Sequence, residues 1–201
     1  MKAKHSLALV LVVLVASGCT QSRSNSSNNG TFELMVSDQP SAIGDFSTLN
    51  VTFSSARVFP ANNSSITFDL DSPTVDLTQL KGSKAQAILR RNLSAGSYTK
   101  IELNVENTNG VVNGSEVNVK VPSNKLMITK NFEVRPNGTT SFVFDIQVVE
   151  RGNQGYNLLP VISNSGVAGE DVPVERTSDK GSRQKSSGKD RQPAKTAPGL
   201  N

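Results

Sequence analysis

The sequence predicts an all-β protein: an antiparallel β-sandwich of transthyretin or immunoglobulin type over residues 31–163, with at most one short helix. Three observations carry this. Apolar and polar residues alternate with a period of two, Asn-Gly steps stand between alternating runs, and no long amphipathic helical pattern occurs. Strands that are apolar on one face must bury it against another layer, and two packed sheets do so.

The strands follow in order. Phe32, Leu34 and Val36 alternate in the first, Leu49, Val51 and Phe53 in the second, Ile66, Phe68 and Leu70 in the third. Lys84–Arg91 is the exception: Ala85, Ile88 and Leu89 share a helical face, so the segment admits the one short helix. Alternation resumes at Ile101, Leu103 and Val105, then at Val117, Val119 and Val121, and at Phe132 and Val134. Phe142, Phe144, Ile146 and Val148 form a further strand, and Tyr156 and Leu158 lead the run into Val161. Pro136-Asn137-Gly138, and Asn109-Gly110 with Asn113-Gly114, read as the turns of antiparallel hairpins, since Asn-Gly tolerates positive φ.

The flanks differ in composition. Residues 1–18 read as a signal peptide: Lys2 and Lys4 precede the apolar run Leu7–Val15, which is too short for the roughly 20 residues of a membrane span. Val15-Ala16-Ser17-Gly18-Cys19 resembles the prokaryotic lipobox, which implies a lipid on Cys19 and a protein anchored at the extracytoplasmic face of a cell membrane. Cys19 is the only cysteine, so a disulfide framework is excluded. Residues 19–30 have the composition of a flexible tether and 164–201 that of a disordered basic tail. The formal charge of +4 is concentrated in the flanks; Cys19 to Arg176 holds 13 basic and 15 acidic residues, and no basic face suggests nucleic acid.

Several pieces resemble one known family. Leu34-Met35-Val36-Ser37-Asp38-Gln39-Pro40, Val75-Asp76-Leu77, Leu93-Ser94-Ala95-Gly96-Ser97-Tyr98, Val143-Phe144-Asp145-Ile146 and Leu158-Leu159-Pro160-Val161, in that order, are similar to domain of unknown function 4382. Gln39 departs from it, standing where a small residue is expected. The Leu-x-x-Gly-x-Tyr piece is also similar to one in transthyretin-like sandwiches. The resemblance implies an exported β domain and supplies no catalytic residue.

Reactive chemistry is sparse. The one histidine, His5, lies in the leader, which removes Ser-His-Asp triads, Cys-His pairs and the usual zinc sites; no metal or cofactor is expected. Ser97-Tyr98-Thr99-Lys100 spells Ser-x-x-Lys, but in a strand residues three apart face opposite ways. Asp69, Asp71 and Asp76 form a loop-side acidic group read as solvated, and Asp38 reads as a turn cap. Asp145, between Phe144 and Ile146, is the acid whose surroundings can raise its pKa if its strand is covered on both faces. Sequons occur at eight asparagines, of which Asn50, Asn63, Asn92, Asn113 and Asn137 are the glycosylation candidates within the domain. The expected function is a non-enzymatic surface lipoprotein that binds or scaffolds an envelope glycan or protein. An accessory subunit of an envelope transport or secretion complex is the alternative, and a carboxylate-dependent hydrolase the distant one.

Overall fold

The structure, a computed structural model, describes residues 28–39, 42–152 and 155–177. Cys19, the leader, most of the tether and residues 178–201 lie outside the described residues. The strands are β1 (Asn29–Gln39), β2 (Phe46–Pro60), β3 (Ile66–Asp69), β4 (Thr74–Asp76), β5 (Lys84–Ser94), β6 (Gly96–Val112), β7 (Ser115–Val117), β8 (Val119–Lys120), β9 (Lys125–Val134), β10 (Thr139–Glu150), β11 (Tyr156–Pro160), β12 (Gly166–Val167) and β13 (Glu175–Arg176). The helical elements among the described residues are short 3-10 turns, and no α-helix occurs there. No helix among them is long and apolar enough to cross a membrane.

Two sheets pack face to face. One is antiparallel: β3 and β4 pair with one edge of β2, β6 with the other, and β7 and β9 with the far edge of β6. The other runs β13-β5-β1-β10-β11-β8, with β12 also on β10, and is mixed because β1–β10, β11–β8 and β13–β5 are parallel. The inner faces supply the core. Phe132 of β9 stacks on Phe32 at 5.6 Å and Tyr98 at 5.4 Å, and meets Phe142 at 4.9 Å. In β2 the buried residues pass from Leu49, Val51 and Phe53 to Ala56 and Val58; a register shift at Phe53–Ser55 restores the inward face after a three-residue step.

Three local expectations are corrected. Lys84–Arg91 is strand β5, not a helix: Ala85, Leu89 and Leu93 are buried and β5 pairs with β1 along its length, so sheet partners override local periodicity. Of the Asn-Gly steps, Asn113-Gly114 makes a two-residue hairpin, with φ of 48° and 77° and Val112 opposite Ser115. Asn109-Gly110 instead continues β6, where a Cβ on Gly110 would lie 2.7 Å from the Phe46 ring. The glycine serves close packing, not a turn. Pro136-Asn137-Gly138 does not close a hairpin either, since β9 pairs with β6 in one sheet and β10 with β1 in the other. It is a corner between sheets.

The chain also stays folded beyond residue 163, where the composition predicts a disordered tail. Residues 161–177 cross the outer face of the mixed sheet as a strap, burying Val172 with Met35, Ala85 and Val143 in a second apolar cluster. Polar contacts fasten it. Arg176 reaches Glu33 at 2.8 Å and Ser141 at 3.0 Å, Lys130 donates to the Ser165 carbonyl at 2.6 Å, and Arg135 pairs with Glu170. Thr177 N–H donates to the Ala85 carbonyl at 3.0 Å.

Candidate functional site

Strand alternation sets Glu33, Met35 and Ser37 of β1 on the outer face, opposite Ser141, Val143 and Asp145 of β10. The strap covers this row, so every residue of β10 from Thr140 to Ile146 is buried. Under the strap lies a cavity of about 340 Å³. Ser37, Val143, Asp145 and Val172 are its buried lining; Gly82, Ser83, Ser163, Asp171 and Pro173 are exposed and form its rim.

Asp145 is 4 % exposed. Ser37 Oγ donates to its Oδ1 at 2.5 Å, while Oδ2 has no protein partner. A buried carboxylate oxygen without a donor costs on the order of 1–3 kcal/mol or more, which disfavours the ionised form. Burial accordingly pushes the Asp145 carboxyl up to about 6, although the Ser37 hydrogen bond pulls the other way. Its backbone is held as well: Asp145 N–H donates to Ser165 Oγ at 2.8 Å, and Val161 N–H to the Asp145 carbonyl at 2.9 Å.

Asp38 follows Ser37 and faces the other way, on the side of Leu34 and Val36. It is wholly buried, and neither carboxyl oxygen has a hydrogen-bond partner. Burial first, then the nearby Asp145 charge, raise it to about 8 against a smaller opposing pull from Lys81. The expected turn-cap role is therefore corrected: a cap accepts backbone N–H groups, and Asp38 accepts none. The motif Ser37-Asp38 with Asp145 is thus a pair of perturbed acids on adjacent strands. The Phe144–Ile146 frame made Asp145 visible in the sequence; for Asp38 the signal was the Phe32, Leu34, Val36 alternation, which continues onto it and sets it on the buried face.

Of the loop-side acids, one is structural rather than solvated. Asp76 Oδ1 accepts from Thr78 N–H at 3.1 Å, Thr78 Oγ1 at 2.7 Å and Leu49 N–H at 3.1 Å, capping a 3-10 turn, while Asp69 and Asp71 are exposed. Among the described residues, no group of three or more His, Cys, Asp or Glu side chains is placed to hold a metal ion. Lys100 of the Ser-x-x-Lys piece lies 3.8 Å from the Phe59 ring centroid, a cation–π contact. A wider hollow of about 680 Å³ is lined mostly by exposed residues such as Glu106, Lys120 and Arg151, and lacks a buried charged group.

The sequons separate by place. Asn92 and Asn137, both exposed, flank one hollow with Asn29 at the end of the sandwich where β1 begins, and Asn137 N–H donates to the Asn29 carbonyl at 2.9 Å. Asn63 is exposed in the turn after β2, near Ser94 and Gly96 at the same end. Asn113 is exposed in its hairpin turn, whereas Asn50 is half-buried between β4 and β6.

The fold and site define a two-sheet β-sandwich domain with a strapped outer face and a small acid-lined cavity. A family model described as domain of unknown function (DUF4382) matches residues 29–160, and the chain belongs to that family. No curated protein matches it. The matched residues hold Ser37, Asp38 and Asp145, while the strap, residues 161–177, lies beyond them.

Proposed function

We propose that the protein is a surface lipoprotein, held by a lipid on Cys19 at the outer face of a cell membrane, whose sandwich is a non-enzymatic binding module for an envelope ligand, glycan or protein. The observation that carries the binding reading is the cavity under the strap, floored by a buried carboxyl group with one oxygen left without a donor. A buried acceptor without a donor that also faces a cavity is what a ligand completes. The lipobox-like run before Cys19 supports the anchor. A tether entering at Asn29 would turn the end bearing Asn63, Asn92 and Asn137 toward the membrane. Glycans at these sequons belong to the same proposal.

Titration of the full-length protein with envelope glycan fragments and solubilised membrane proteins tests the binding reading; saturable binding lost on filling the cavity supports it. Capture of one stoichiometric transport or secretion complex would favour the accessory-subunit alternative instead. One observation favours the hydrolase reading: an acid poised near neutrality beside a serine hydroxyl at 2.5 Å. Its test is a panel of glycoside, ester, phosphate and peptide substrates, with turnover abolished by Asp145→Asn as the supporting result.

A further inference from the structure

We propose that the cavity beneath the strap is a site for a primary ammonium group carried on a small aliphatic or sugar body; this rests on the binding reading above.

Charge comes first. Asp145 and Asp171 are the ionisable side chains among the lining residues, and no lining side chain is cationic. Lys130 of β9, which reaches the strap, is engaged: it donates to the Ser165 carbonyl and lies 3.7 Å from Asp171. A cavity so composed repels anions and stabilises a cation.

Donor geometry comes next. Ser37 already occupies Oδ1 of Asp145, which leaves Oδ2 alone to be satisfied. A guanidinium binds carboxylates best through two parallel bonds to both oxygens. An ammonium needs one, and its remaining donors can meet rim oxygens such as those of Ser83 and Ser163. A divalent cation is disfavoured, because it requires several anionic or carbonyl oxygens converging on one point, and no such group of three acids stands here among the described residues. The walls Val143, Val172 and Val174 are apolar, and about 340 Å³ is at the small end of ligand sites. An amino sugar or a short alkylamine has that size and that mixture of surfaces.

The ammonium binds the ionised form of Asp145, so affinity should fall as pH drops through about 6. The charged groups on the elements packed here are Asp38 and Glu33 on β1, Asp171, Glu175 and Arg176 on the strap, Lys130 on β9, Lys81 in the loop before β5 and Lys84 at its start, with Glu33 paired to Arg176. None of these reverses that sign: Asp38 is held largely neutral below about 8, and Asp171 lies with Lys130.

The experiment titrates the full-length protein with glucosamine and ethanolamine, and with N-acetylglucosamine and ethylene glycol as neutral counterparts. Dissociation constants and backbone amide shifts at Ser37, Ser83, Asp145 and Val172 are followed at pH 7.5 and pH 5. The expected result is saturable shifts at these residues with the amines, at least tenfold weaker binding of the neutral compounds, and a several-fold loss at pH 5. Asp145→Asn should abolish amine binding. Ser83→Phe, at the exposed rim, should block it while the remaining amide spectrum keeps its native dispersion, which covers the case in which Asp145→Asn fails to fold. Equal binding of amines and neutral counterparts at these residues would overturn the ammonium inference and leave the binding reading standing. Absence of shifts with all four probes would overturn the ammonium inference, and the envelope-ligand titration would then decide the binding reading separately.

Discussion

Asp38 and Asp145 tie the chemistry of single residues to the stability of the fold. Both carboxyls are raised above their ordinary value of 3.8, to about 8 and about 6. The folded state therefore holds protons that the unfolded chain releases above about pH 4, and folding stability contributed by the pair is full below that pH and lost as pH rises toward 8. The slope is at most about 1.4 kcal/mol per pH unit per group. Asp38→Asn should consequently stabilise the protein relative to wild type by an amount that grows between pH 5 and pH 8, read from urea midpoints. A difference that does not change with pH would show that Asp38 has no raised pKa. In the core, Phe132 joins Phe32, Tyr98 and Phe142, so Phe132→Ala should cost about 3–5 kcal/mol through lost burial and the cavity left behind. A cost below about 1 kcal/mol in the same measurement would contradict this packing.

At the scale of elements, the strap decides which groups are buried. Its removal would uncover Met35 and Val143 and take Arg176 from Glu33, which is 4 % exposed. Arg90 remains 3.5 Å from Glu33, and Arg176 is itself about half exposed, so Arg176→Ala should cost only about 1–2 kcal/mol. It should also speed amide hydrogen exchange over Gly166–Val172 more than in β6; uniform exchange across both would mean that the strap does not open separately. The hairpin at Asn113-Gly114 and the packing contact at Gly110 show why the same dipeptide had two outcomes. In the first the chain reverses with positive φ; in the second Phe46 and Val119 press on the glycine and the strand runs straight through. Gly110→Ala should destabilise by about 1–3 kcal/mol by overpacking, and thermal unfolding measures it.

For the whole molecule, the proposed anchor predicts that Cys19→Ser moves the protein from the membrane fraction to a soluble or uncleaved pool. Retention in the membrane after normal cleavage would refute lipid attachment. What the sequence by itself determined is the all-β class, the two-sheet sandwich, the family and most strand positions, because period-two alternation reports directly which face of a strand is buried. It also singled out Asp145, whose apolar neighbours on β10 are read from adjacent positions. Tertiary structure alone decided the rest. Parallel pairing of β1 with β10 brings Ser37 to Asp145 across 108 positions of sequence, and no local pattern encodes such a register. Lys84–Arg91 became a strand because β1 offered an edge, and a segment with a tail-like composition became a strap because Val172 found an apolar patch already exposed on the sheet. The acid-lined cavity exists only where these pieces meet, since burial is a property of what surrounds a residue and not of the residue's neighbours in the chain.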